Sequence, residues 1–116
     1  MDGFAVRFED IAETPATLKV VMDVPAGSVP EGGIEAGQAA SIMTGAPVPQ
    51  GAERVIPIEN VTAANGSIEI TRPSKAAHIC LQGEDIRPGD LVVRAGTTLG
   101  AVEIANLIGC GITEVD

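Results

Sequence analysis

Along most of this chain apolar and polar positions alternate in short runs, and helical spacing is rare. Residues 3–8 (GFAVRF) alternate loosely and predict a strand. Residues 16–24 (ATLKVVMDV), rich in β-branched side chains, predict a second. A polar connection joins them, and residues 25–33 (PAGSVPEGG) have the glycine and proline density of a loop. Ala39, Ala40, Ile42 and Met43, followed by Thr44-Gly45, predict a short helix near 37–43. Pro47 and Pro49 then keep Ala46 and Val48 out of the helical region. Residues 54–58 (RVIPI) predict a strand in which Pro57 fits an edge or a bulge. In residues 58–72 two alternating arms flank Asn65-Gly66. Both of these residues tolerate positive φ, so a hairpin is expected.

Residues 73–90 predict a long irregular stretch, of a length more often functional than accidental in a compact domain. Leu91–Arg94 predicts a short strand. Ala101, Ile104, Ala105 and Ile108 then recur at i, i+3, i+4 and i+7, one apolar helix face. This helix is expected near 99–109, with Thr98 as its cap, Glu103 in its first turn and Gly109 and Gly111 as its stop. Ile112 begins another extended segment. The expected class is mainly β with one or two helices.

Composition sharpens this picture. The chain has 116 residues, most simply one domain, with 45% hydrophobic residues but only two aromatics. Its core must therefore be built from Val, Ile, Leu and Ala. The formal net charge is −9, a poor match for nucleic acid or an anionic membrane, both of which need clustered Lys and Arg. Cys80 and Cys110 stand in no metal-binding spacing, and with His78 the single histidine, a zinc site of the usual kind is not expected. No apolar run approaches the ~18 residues of a membrane span, and no signal peptide is visible. The expected setting is the cytoplasm, with reduced thiols. Cys80 is expected as a buried or half-buried thiol, and His78 as a surface or loop side chain.

The oxygen-bearing candidates for chemistry are Asp2, Thr44, Glu84, Asp85 and Asp90. Hard cations such as magnesium take few carboxylates together with waters and a phosphate. Asp2 and Asp85, brought together by the fold, would suit that role. Thr44, with free N–H groups at the end of an element, marks a place where an anion can sit. The plainer reading of the same residues is a capped element end, a Pro-rich loop and solvated acids.

Three segments carry a family resemblance. SIMTGAPVPQGAERVIPIEN (residues 41–60) resembles the signature of the MoeA/gephyrin E-domain family, the molybdopterin molybdenumtransferases. Met1-Asp2-Gly3-Phe4-Ala5-Val6 resembles that family's MDGYAV motif. Gly83-Glu84-Asp85, followed by Pro88-Gly89-Asp90, resembles its GED motif and the turn after it. The resemblance implies an irregular, bifurcated, barrel-like β fold of the MoeA N-terminal region over residues 1–116. It implies that Asp2, Thr44 and Asp85 are active-site residues, with Asp2 and Asp85 holding metal. Thr44, Gly45 and Gly83 would contact the cofactor substrate. The implied reaction inserts molybdate into adenylylated molybdopterin with magnesium present.

In the family the pterin is held mostly by a further α/β domain, and the site forms within a homodimer. The chain resembles only the N-terminal region, so that domain lies outside it, and by itself the chain is expected to be inactive. Two positions depart from the family pattern. Where the family reads NIR, this chain has His78-Ile79-Cys80, so a phosphate-contacting arginine is replaced by Cys80. Glu53 stands where the family usually has Asp. Two other readings stay open: a scaffold that kept the fold without the chemistry, and an acidic β-rich module for a divalent cation.

Overall fold

The computed structural model describes residues 2–115. The chain divides into two units, residues 1–80 and 81–116.

In the first unit the β-branched and apolar runs form one six-stranded sheet. The strands are β1 (Gly3–Val6), β2 (Ala16–Val24), β3 (Gln38–Ile42), β4 (Arg54–Pro57), β5 (Val61–Ala64) and β6 (Ser67–Ile70). Their order across the sheet is β4-β1-β3-β2-β6-β5. All neighbours are antiparallel except β2 and β3, which run parallel. β5 and β6 form the expected hairpin around Asn65-Gly66, both at positive φ. Pro57, as anticipated, lies in an edge strand, where its missing N–H costs no ladder bond.

β1 is buried at every position. Successive residues of a strand face opposite ways, and here both faces are covered. Phe4 and Val6 join one apolar cluster with Leu18, Ile56, Ile68 and Ile70, while Ala5 joins a second with Val24, Ile34, Ile42 and Val55. β2 serves both clusters in turn. Its residues Leu18 and Val20 pack with the first, and Met22 and Val24 with the second. The four are evenly spaced and would share a face of a regular strand. The switch comes from a bulge: Val20 pairs with Ala39 and Met22 with Ala40, so Val21 is the extra residue. One unmatched residue turns the rest of the strand over and bends the sheet.

The short helix expected near 37–43 is not formed; that stretch is β3. Alanine favours helices, but tertiary packing overrides so weak a preference. Ala39 and Ala40 lie fully buried, one in each cluster, between β1 and β2. Their small side chains suit the crowded centre of the sheet.

In the second unit the predicted helix is α1 (Ala101–Gly109). Its N-cap is Gly100 rather than Thr98, and the Gly100 N–H donates to Glu103 Oε2 at 3.0 Å. At the other end the N–H groups of Gly111 and Ile112 donate to the carbonyls of Ile108 and Leu107, both at 2.9 Å. This is the glycine-terminated stop that the sequence implied. The predicted apolar face exists but is not covered: Ile104 and Ile108 are exposed, and Leu107 is the buried residue of the helix. Leu91–Arg94 is not a strand, and no strand begins at Ile112 among the described residues. Turns at Gly89 and Gly96 bound the first segment, and no strand of its unit pairs with it. Among the described residues the class is mainly β, a curled six-stranded sheet with one α-helix and two short 3-10 turns.

Candidate functional site

The site grows from the place where β1 begins and the strands on either side of it end. Gly3 pairs with Ile42 of β3 and Pro57 of β4. Just before it, the Asp2 carbonyl accepts the Ile58 N–H at 3.1 Å. The Asp2 carboxylate reaches the turn after β3, where Oδ1 accepts the Thr44 N–H at 3.1 Å. The Thr44 hydroxyl also approaches Oδ1, at a long 3.4 Å. The turn itself is Met43–Ala46, closed by the Ala46 N–H on the Met43 carbonyl at 3.1 Å. Its third residue, Gly45, has φ +83, the conformation a type II turn demands and glycine supplies without strain. Both Thr44 donors therefore face Asp2. The Gly45 N–H, by contrast, has no protein acceptor among the described residues.

This turn forms one wall of a cleft of about 390 Å³. His78, Ile79 and Cys80 form another. They belong to a strap that crosses to the edge of β4. The Val55 N–H donates to the Ala77 carbonyl at 2.9 Å. Arg54 Nη1 donates to the Ser74 and Lys75 carbonyls at 3.2 and 2.9 Å, while its guanidinium lies 4.7 Å from the centroid of the Phe8 ring. Ile79 packs on the second core cluster. His78 sits at φ +56, with its Nε2 2.7 Å from the Ser74 hydroxyl.

Cys80 is exposed and free, not buried as its type predicted, because the strap turns it outward while Ile79 takes the core side. Glu53 is structural. Its Oε2 accepts the Phe8 N–H at 3.0 Å, and its own N–H donates to the Val6 carbonyl. His78 is the exposed loop side chain that was expected, but sequence reasoning missed that it lines the cleft.

Asp85 belongs to the second unit, on a loop made of two successive turns. Glu84 closes the first: its N–H donates to the Leu81 carbonyl and its Oε2 accepts the Leu81 N–H at 2.8 Å. Asp90 closes the second in the same way, its Oδ2 accepting the Arg87 N–H at 2.9 Å. Arg87 Nε donates back to the Gly83 carbonyl at 3.0 Å, bracing the loop. Glu84 and Asp90 are thus used by the backbone. The Asp85 carboxylate has no hydrogen-bond partner among the described residues, and it borders a cavity with Asp90 and Asn106.

These geometries set an expectation for stability. Thr44→Ala and Asp85→Ala should each change the unfolding free energy by less than about 2 kcal/mol, because both side chains are exposed and weakly bonded. Urea unfolding followed by far-UV circular dichroism checks this; a larger loss would mark the residue as structural.

Among the described residues no three His, Cys, Asp or Glu side chains converge as a metal site. The second carboxylate oxygen of Asp2 in the first unit, and separately the unbonded Asp85 carboxylate in the second, are oxygen donors of the kind that hard cations take. No described helix is long and apolar enough to cross a membrane.

Known proteins share this sequence and fold over nearly the whole chain. The family described as MoeA N-terminal region (domain I and II) matches residues 1–111. A molybdopterin molybdenumtransferase of Nostoc sp. is 39% identical, covering 99% of this chain and 28% of its own length. Molybdopterin molybdenumtransferase 2 of Mycobacterium tuberculosis is 33% identical, covering 99% of this chain and 30% of its own. The crystal structure of a molybdopterin biosynthesis moeA protein from Pyrococcus horikoshii superposes with a TM-score of 0.89 at 36% identity, over 97% of this chain and 31% of that one. The chain thus spans less than a third of the length of these relatives.

Proposed function

Since the chain belongs to the family of MoeA N-terminal regions, we propose that it serves molybdenum cofactor biosynthesis by forming part of the site that inserts molybdate into adenylylated molybdopterin. The observation that carries this is the bond from Asp2 to Thr44, which lines the cleft next to the unbonded Gly45 N–H. In this reading Asp2 holds the turn through one oxygen and leaves the other for a cation. Asp85, in the second unit, is the other carboxylate that this reading assigns to metal, on the loop that Arg87 braces at Gly83. Gly45 and Gly83 let the substrate approach the backbone. Bound magnesium would neutralise charge on the phosphates and on molybdate. The chain's own contribution is positioning and electrostatics rather than covalent chemistry.

The same reading assigns the rest of the pterin site to an α/β domain and the working form to a homodimer in the cytoplasm. The uncovered face of α1, with Ile104 46% and Ile108 62% exposed, supports a covering partner. A scaffold role without chemistry is the second reading. It is favoured by Cys80, which puts no positive charge in the cleft.

A transfer assay with adenylylated molybdopterin, magnesium and molybdate tests both. This chain alone is expected to give no product. Mixed with a separately prepared α/β domain of a molybdenumtransferase, it is expected to give turnover. Product from the chain alone would overturn the split assignment. Association of the two proteins without turnover would establish the scaffold reading instead.

A further inference from the structure

The strap that carries His78, Ile79 and Cys80 into the cleft wall is thinly attached. Among the described residues a single backbone hydrogen bond ties residues 73–80 to the sheet, from the Val55 N–H to the Ala77 carbonyl. Alternate residues of an edge strand aim their N–H outward. The next outward donor along β4 would be that of Pro57, which has none. Ladder pairing therefore cannot hold the strap, and its own side chains add little. Ser74 and Ile79 are half-buried and the rest are exposed. Segments with so few buried contacts open at low cost.

Arg54 supplies the missing hold. Its Nη1 donates to the Ser74 and Lys75 carbonyls, at 3.2 and 2.9 Å, at the start of the strap. Bonds from a charged donor are stronger than neutral ones. The guanidinium also rests 4.7 Å from the centroid of the Phe8 ring, an aromatic left 50% exposed. Phe8 is fixed in turn, its N–H donating to Glu53 Oε2 at 3.0 Å. Two successive residues, Glu53 and Arg54, thus hold the platform and the clamp. Arg54 does not itself line the cleft, whereas its neighbour Val55 and the strap's Ile79 do. We infer that Arg54 is a positioning residue, clamping the strap to β4 and so fixing the shape of the cleft. The inference rests on the reading that this cleft receives the substrate, and it adds the group that keeps the cleft wall in place.

The test compares the wild-type chain with two variants. Arg54→Met keeps a stem that packs on Phe8 but donates nothing, and Arg54→Lys keeps a charged donor. NMR order parameters are read at the amides of residues 77–80, and at Ala5 and Ala40 in the sheet. In the wild type all are expected to be about 0.85, the rigid-backbone value. In Arg54→Met the strap should fall below about 0.6 while the sheet is unchanged, and Arg54→Lys should restore it. A strap closed about a tenth of the time weakens apparent affinity about tenfold. In the transfer assay with the mixed proteins, Arg54→Met should accordingly raise KM about tenfold and leave kcat in place. A strap as rigid in Arg54→Met as in the wild type overturns the inference. So does a loss of order in strap and sheet together, or a loosened strap with unchanged KM. In that last case turnover persists and the substrate reading stands. No turnover from the wild-type mixture overturns the substrate reading instead, and the order parameters still decide the clamp.

Discussion

Replacing Gly3 by alanine is expected to destabilise the chain by at least about 3 kcal/mol, in the upper range of single substitutions. A Cβ at this position would be driven into the Ile56 carbonyl, with the Val55 side chain close behind. The obstacle is backbone of the neighbouring strand, so no rotamer change relieves it. Gly3 pairs with Pro57 on one side and Ile42 on the other, and Ile56 is fully buried. Relief therefore requires β1 and β4 to separate, which opens both apolar clusters at once. Without the clash, glycine to alanine would raise stability by about 0.4–1 kcal/mol, by restricting the unfolded chain.

Gly27→Ala provides the comparison. Its φ is +80 but nothing lies within 4 Å of the added atom, so the expected loss is about 1–2 kcal/mol from backbone strain alone. Urea unfolding by circular dichroism compares the two. Equal losses would show that β1 and β4 part easily, and that Gly3 is set by conformation rather than by close approach.

Much of the sheet was legible because strands announce themselves locally. β2 matched its predicted range, 16–24, and the hairpin followed from Asn65-Gly66. β3 was not legible, since Gln38–Ile42 has helix-forming alanines and only its place between two strands decides its conformation. The bulge at Val21 was invisible for a related reason. The alternation of β2 looks regular until its partners show that one residue is unmatched. The helix was found, but its predicted core face proved exposed, because a periodic apolar stripe records that a partner is needed and not where that partner is. In the site, Asp2 and Thr44 were named from motifs, while their hydrogen bond needed coordinates. The place of His78 in the cleft follows from the strap's bond to β4 through Val55 and Ala77, a long-range pairing that no local pattern of side chains encodes.

Asp2→Ala is expected to reduce transfer by the mixed proteins about 100-fold or more, the scale of losing one preorganised electrostatic group. Stability should fall by less than about 2 kcal/mol, because the Thr44 donors are exposed and water can replace the lost acceptor. The informative variant is Asp2→Asn. An asparagine oxygen still accepts the Thr44 N–H, so the turn keeps its place, while the negative charge and its cation-binding capacity are gone. If Asp2 acts through charge, Asp2→Asn will be as inactive as Asp2→Ala, and added magnesium will rescue neither. If Asp2 only pins the turn, Asp2→Asn will recover most of the rate. That second result would move the chemistry from this corner of the sheet to the Asp85 loop, where the carboxylate is free of backbone partners.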